Sequence, residues 1–267
     1  MSPPLGLLAG SGAFPEYLLS ALRQAGHEVT VVGIKGETSP ELASSANRSA
    51  MFDIGDFSGI VGFLKDGGVR EAFMAGYVQH TNIYRDVRRD SLATRLLSSL
   101  IDKRADSLLR GAVLLLRSNG IRVVSAMPYL KPLIPSRGVL TSRQPGEEDW
   151  KDIRFGVKMA RRIAGLDIGQ TVVVRHQAVV AVESLEGTDA CIRRGGEIGH
   201  GSVVVAKVAK PRQDFRFDVP VVGLRTVESL AAARAAAMAV EAGKTIILDR
   251  EKVVAALDAA GIALAAV

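Results

Sequence analysis

The segment Gln213-Asp214-Phe215-Arg216-Phe217-Asp218-Val219-Pro220 sets two carboxylates and a guanidinium at alternate positions. In an extended strand Asp214, Arg216 and Asp218 would share one face, and Phe215, Phe217 and Val219 the other, with same-face neighbours about 6.6–7 Å apart. Two acids at that spacing, with an arginine between them and Lys210-Pro211 just upstream, read as a place for a cation and a phosphate. Carboxylate oxygens suit Mg²⁺ or Mn²⁺, which keep waters and substrate phosphate in their shell. The competing explanation is an edge strand whose charges face water and which Pro220 ends. It accounts for the alternation but gives no reason for Lys210 and Gln213 beside it.

Three other groupings can carry chemistry. Gly10-Ser11-Gly12 stands between a strand-like run, Leu5 to Ala9, and a helix start at Phe14, the arrangement in which backbone N–H groups meet an anion. A third glycine would fall at position 15, where Pro15 stands, and no P-loop lysine follows. A phosphate site of a different kind is expected, with a tight ligand-free turn as the alternative and NAD disfavoured. Glu183 and Asp189 flank a turn that carries Thr188, a set that suits a sugar or a metal-bound water, or simply a helix cap. In the helix expected over Asp152 to Ala164, Arg154, Lys158, Arg161 and Arg162 share one face. That face is either solvated or drawn to an anionic membrane leaflet.

Other chemistries lack their parts. His27, His80, His176 and His200 show no paired ligand spacing, no GxSxG elbow is present, and Cys191 is the single cysteine. Hydrolysis is therefore expected to be metal-assisted and carried by carboxylates. One cysteine also excludes a disulfide framework and fits a reducing, cytoplasmic setting. No run reaches the ~18 apolar residues of a membrane span. A net charge of +6 suits anionic partners. The aromatic and basic interleaving of single-strand binders is missing, so nucleic acid is not expected.

The elements that must position these groups fall into two grammars. Over residues 1–130, strands at Leu5 to Ala9, Val29 to Ile34, Met51 to Ile54, Ala72 to Tyr77 and Ile121 to Ser125 alternate with helical stretches. These include Phe14 to Ala25 and a stretch from Ser91 to Leu116 broken near Asp102. That alternation predicts a Rossmann-like parallel α/β domain. Six prolines and glycines between Pro128 and Gly146 read as a connection, so residues 131–146 are expected to be a linker or hinge. Residues 147–267 read as a C-terminal mixed α/β (α+β) domain. Its expected parts are a helix, a hairpin of Thr171 to Val174 and Ala178 to Val182, a strand at Val203 to Val208, and the alternating run at Phe215 to Val219. Two helices separated by a strand at Thr245 to Leu248 close it, with Leu230 to Ala242 read as Ala-rich helix.

Together, the segments Leu5-Gly6-Leu7-Leu8-Ala9-Gly10-Ser11-Gly12, Asp167-Ile168-Gly169-Gln170, Val182-Glu183 with Glu186-Gly187-Thr188-Asp189, and Lys210-Pro211 with Gln213 to Pro220 resemble the LpxI family. These are the UDP-2,3-diacylglucosamine pyrophosphatases of lipid A biosynthesis. The resemblance runs end to end and implies cleavage of that substrate to UMP and 2,3-diacylglucosamine 1-phosphate (lipid X) at the inner face of the inner membrane. It also implies a divalent cation and two domains that clasp the lipid. Under it, Asp214 and Asp218 are the metal ligands or water-positioning groups, and Lys210 and Arg216 stabilise phosphate charge. Gly10, Ser11 and Gly12 hold a phosphate, while Glu183, Thr188, Asp189 and Gln213 contact substrate. A homodimer is expected as the common case.

Overall fold

A computed structural model describes residues 3–78, 90–99 and 105–267. The chain forms two compact units, Met1–Leu130 with Phe215–Phe217, and Lys131–Asp214 with Asp218–Val267.

In the first unit, five parallel strands run in the order β3-β2-β1-β4-β5. They are β1 (Leu5–Ala9), β2 (Val29–Ile34), β3 (Arg48–Phe52), β4 (Glu71–Ala75) and β5 (Arg122–Val123). Helices α1 (Phe14–Gln24), α2 (Pro40–Ser44), α3 (Phe57–Asp66), α4 (Ser91–Ser99) and α5 (Ala105–Ser118) alternate with them. The Rossmann-like expectation holds. Central strands in such a sheet are covered on both faces and read as unbroken apolar runs, and Leu7, Val31 and Val32 are wholly buried. Pro15 sits in the first turn of α1, where a missing N–H costs nothing. Phe217 packs against the cluster of Leu64, Leu116 and Ile121. The break expected near Asp102, and His80, lie outside the described residues.

The second unit holds a mixed sheet in the order β6-β13-β11-β9-β7-β8. β9 (Val204–Lys207), β11 (Ala237–Val240) and β13 (Ala263–Ala266) are parallel to one another. β7 (Thr171–Arg175) runs antiparallel to β9, and β8 (Ala178–Val182) antiparallel to β7. β6 (Gly138–Val139) closes the far edge against β13. Helix α6 (Glu147–Gly165) lays Ile153, Val157, Ala160 and Ala164 on Val172, Val174, Val204 and Ala206. The opposite face, with Val173, Val205, Met238 and Leu264, joins α7 (Thr188–Ile198), α8 (Leu224–Ala232) and α9 (Arg250–Ala259) in a second cluster. A short pair, β10 (Val221–Val222) with β12 (Ile246–Ile247), completes the unit. The β7–β8 hairpin turns at His176 and Gln177, both left-handed (φ 50° and 57°), as the right-handed twist of hairpins requires. Their amides donate to the buried Asp152 carboxylate at 2.9 and 2.6 Å.

Two expectations fail here for one reason each. Helix α8 stops at Ala232, and Ala237–Val240 is a central strand buried on both faces rather than the end of a helix. An alanine-rich run has no apolar period to separate the two states, and β13 escaped notice on the same ground. The proline-rich stretch is no free linker. Gly138–Val139 is a strand of the sheet, the Thr141 hydroxyl accepts from the Leu264 amide at 2.9 Å, and Ser142 donates to Asp258. Thr141 thus bonds the second unit's backbone and Ser142 one of its carboxylates.

Candidate functional site

Strand direction gathers the charged residues of the second unit at one end of its sheet. β9 and β11 finish there, β7 begins there opposite Lys207, and β8 finishes there opposite Val172. In open α/β sheets the carboxyl ends of parallel strands are where ligands bind. Asp167, Gly169, Gln170, Glu183, Lys207, Lys210 and Glu241 all belong to the segments that meet at this edge.

The segment expected as a strand is instead a turn. Residues 213–220 contain no strand, and residues 215–217 form a turn. The Asp218 amide donates to the Asp214 carbonyl at 3.0 Å, four residues back. Alternation therefore does not put Asp214, Arg216 and Asp218 on one strand face. Phe215–Phe217, with Arg216, group with the first unit, while Asp214 and Asp218 stay with the second. Phe215 and Phe217 are half-buried, and Phe217 packs on the first unit's core from a turn rather than a strand.

Gln213 explains the shape of that turn. Its Oε1 accepts from the Lys210 amide at 2.6 Å and its Nε2 donates to the Asp218 carbonyl at 2.7 Å. One side chain thus fastens the loop's two ends. Lys210 Nζ lies 2.8 Å from the Asp167 carboxylate and 3.8 Å from that of Asp218. Asp167 follows the end of α6 in the left-handed region (φ 58°), where aspartate is one of the few tolerated residues. The approach to Lys210 is also fixed from behind, because the Ala209 amide donates to the buried Glu241 carboxylate at 2.8 Å. Arg161 bonds the same carboxylate at 2.8 and 3.1 Å, and Lys244 lies 3.5 Å away. Burial alone would raise the Glu241 pKa, but the amide and the two cations outweigh it and hold the carboxyl below its ordinary range.

Beside this loop is a buried polar chain. The Thr188 hydroxyl donates to Glu183 Oε1 at 2.7 Å and accepts from Lys207 Nζ at 2.7 Å. Glu183 and Lys207 are only 7% and 6% exposed. The second Glu183 oxygen accepts from the Gln170 amide at 3.3 Å. Gly169 lies flush on the Glu183 carbonyl, where any Cβ would collide. Asp189 pairs with the exposed Arg225 at 3.6 Å. Thr188 begins α7 itself, with Gly187 as the cap. Burial pushes the neighbouring Cys191 thiol up to about 12, and the Glu183 charge adds to it. That thiol is no nucleophile.

Sequence reasoning found Glu183, Thr188, Asp189, Lys210, Gln213, Asp214 and Asp218 in this unit, but assigned no role to Asp167, Lys207 or Glu241. A lysine inside the otherwise apolar run Val203 to Val208 was the available signal. An acid at the end of the Ala-rich run was the corresponding one for Glu241.

In the first unit, the Gly10 amide donates to the Ala75 carbonyl and that of Ser11 to Tyr77 at 2.8 Å each, and the Tyr77 amide returns the bond to Ser11. The Ser11 hydroxyl also donates to the Tyr77 carbonyl at 2.7 Å. Gly10 is required because a Cβ there would meet Tyr77 backbone. Two of the amides expected to face a phosphate are therefore engaged within the fold. On α6, Arg154, Lys158, Arg161 and Arg162 are exposed along one face as expected, though Arg161 reaches back to Glu241.

No group of three or more His, Cys, Asp or Glu side chains among the described residues forms a metal cage. Asp214 and Asp218 are joined through the backbone of one turn, the Asp218 amide to the Asp214 carbonyl.

Two family models divide the chain between them: the LpxI N-terminal domain over residues 4–133 and the LpxI C-terminal domain over residues 136–265. The chain belongs to the LpxI family. A relative from Caulobacter vibrioides, the UDP-2,3-diacylglucosamine pyrophosphatase LpxI, is 34% identical over 269 residues, covering 97% of this chain and 95% of its own. Likeness to solved structures is slight. A nucleoside-diphosphate-sugar epimerase from Pseudomonas aeruginosa matches 61% of this chain and 49% of its own at 16% identity, with a TM-score of 0.29. A biotin carboxylase subunit of pyruvate carboxylase covers 74% of this chain and 42% of its own at 9% identity, with a TM-score of 0.30. Scores that low carry no argument. The boundary between the two family domains falls where the chain passes from one compact unit to the other.

Proposed function

We propose that this chain hydrolyses the pyrophosphate bond of UDP-2,3-diacylglucosamine, giving UMP and 2,3-diacylglucosamine 1-phosphate for lipid A synthesis. The observation that carries this is the match over nearly the whole chain to a relative of that name. The chemistry of the Lys210 loop supports it. Water adds to one phosphorus, the anhydride P–O bond breaks, and negative charge grows on the departing phosphate. Lys210, held by Asp167 and Asp218, supplies a fixed cation for that charge. Asp218 and Asp214 position water or a cation, and Arg216 is assigned to the phosphates as well. A bound Mg²⁺ or Mn²⁺ would take Asp214 and Asp218 as its protein ligands and add Lewis-acid stabilisation of phosphate charge. Gly10, Ser11 and Gly12 are kept as a candidate phosphate contact through Gly12 and the start of α1.

Two acyl chains on the substrate call for access to a leaflet. No described helix is long and apolar enough to cross a membrane. Exposed Leu166, Ile168 and Leu185, with the basic residues of α6, support peripheral contact with the inner membrane at about 1 kcal/mol per basic residue. A homodimer is proposed on the general frequency of that state, and its check is sedimentation of the purified protein. The deciding experiment incubates the protein with UDP-2,3-diacylglucosamine, first with Mg²⁺ and then with EDTA, and follows UMP. Release with Mg²⁺ that EDTA abolishes is the expected result. Release that survives EDTA overturns the metal assignment, and no release in either condition overturns the activity.

A further inference from the structure

We infer that Lys207 is a phosphate-oxygen ligand, presented by the Thr188 hydroxyl and the start of α7, and that it forms an anion subsite beside the Lys210 loop. The inference rests on the pyrophosphatase reading for the identity of the anion. Lys207 ends β9 with 6% exposure. Its ammonium carries three donors, yet the one acceptor it meets among the described residues is Thr188 Oγ1 at 2.7 Å. Among the described residues no carboxylate lies within ion-pair distance of it. A buried ammonium with one neutral acceptor is costly unless an anion completes its shell.

The surroundings are arranged to leave that shell open. Glu183 supplies the countercharge, but through the Thr188 hydroxyl rather than by contact, since its oxygens accept from Thr188 and from the Gln170 amide. The hydroxyl's proton is thereby committed to Glu183, so its lone pair must face Lys207. The ammonium is held in one place while its other donors remain available. Thr188 is also the first residue of α7, an eleven-residue helix whose Gly187 cap offers no side-chain acceptor to its first amides. Those amides and the helix dipole favour an anion at the same point. Asp189, the acid in this first turn, is paired with Arg225 at 3.6 Å, which offsets its charge. Lys207 precedes Lys210 by three residues on the same strand exit, so two lysines serve one end of the sheet. A pyrophosphate, with two phosphoryl groups, can engage both.

The test compares Lys207→Met, Thr188→Val and Thr188→Ser with the wild type. Melting temperatures come first; Lys207→Met removes a buried charge and is expected to melt no lower than wild type. Inorganic pyrophosphate is then titrated calorimetrically into each protein, and KM and kcat are measured with UDP-2,3-diacylglucosamine. Lys207→Met should weaken pyrophosphate binding and lower kcat/KM about 10- to 100-fold, the value of a charge-assisted hydrogen bond or two. Thr188→Val should lose part of this, and Thr188→Ser should recover most of what valine loses. Wild-type binding and kinetics in a folded Lys207→Met protein would overturn the subsite, as would failure of the wild type to bind pyrophosphate. Should the wild type bind pyrophosphate through Lys207 yet leave the UDP-lipid intact, the subsite stands and the substrate assignment falls.

Discussion

The two units treat a glycine turn and a strand end in opposite ways. In the first, Gly10 and Ser11 lead from a parallel strand to a helix in the manner of a nucleotide site, yet their amides close on Ala75 and Tyr77. In the second, no glycine signature announces anything, but the strand ends deliver Lys207, Lys210 and Glu241 to one edge, each with a defined partner. The first uses its turn to hold β1 against the segment after β4. The second uses its sheet to hold charge away from water. A phosphate signature in sequence thus marks where backbone can come close, and which groups it meets there decides whether an anion is welcome.

Three experiments would break or sharpen this contrast. The largest effect is expected from Lys210→Ala and Asp218→Ala, each lowering kcat about 10²- to 10³-fold with the melting temperature nearly kept. Steady-state kinetics beside a thermal melt would check it, and wild-type turnover in both would move the chemistry elsewhere. Next, Gly10→Ala should act on stability first, since the new methyl meets Tyr77 backbone; about 1–3 kcal/mol is expected, read from denaturant unfolding. A full-stability Gly10→Ala protein with lost activity would instead make the turn a binding element.

The smallest effect is on pH dependence. The Glu241 carboxyl is lowered in the fold, so its contribution is complete above its ordinary value of 4.5 and is lost as pH falls through the lower folded value. Glu241→Gln keeps an acceptor for the Ala209 amide but cannot titrate. Its unfolding free energy should therefore fall less steeply than wild type below about pH 4.5, at a cost near 1 kcal/mol at neutral pH. Parallel acid-side slopes would remove Glu241 from the account.

The fold was legible where side chains carry a period. The branched runs at Val29 to Ile34 and Thr171 to Val182 left little choice, and the amphipathic α6 declared itself within a few residues. It was illegible where alanine dominates, as in β11 and β13, because a methyl fits a central strand and a helix equally. The site was legible in residue type and not in shape. Asp214 and Asp218 were found through an alternation that the fold sets in a turn rather than a strand. Lys207 and Asp167 needed the sheet, since only strand order brings a helix end, a hairpin end and a β9 exit to one edge.

The place of β13 has a consequence for how the chain is made. It pairs with β11 on one side and with β6 on the other, so Gly138 meets Ala266. During synthesis β6 waits for a neighbour until residues 263–266 emerge, and until then β11 presents a bare apolar edge. The pairing of β6 with β13 is distant in sequence, and contacts of that kind make the closing step of folding slow.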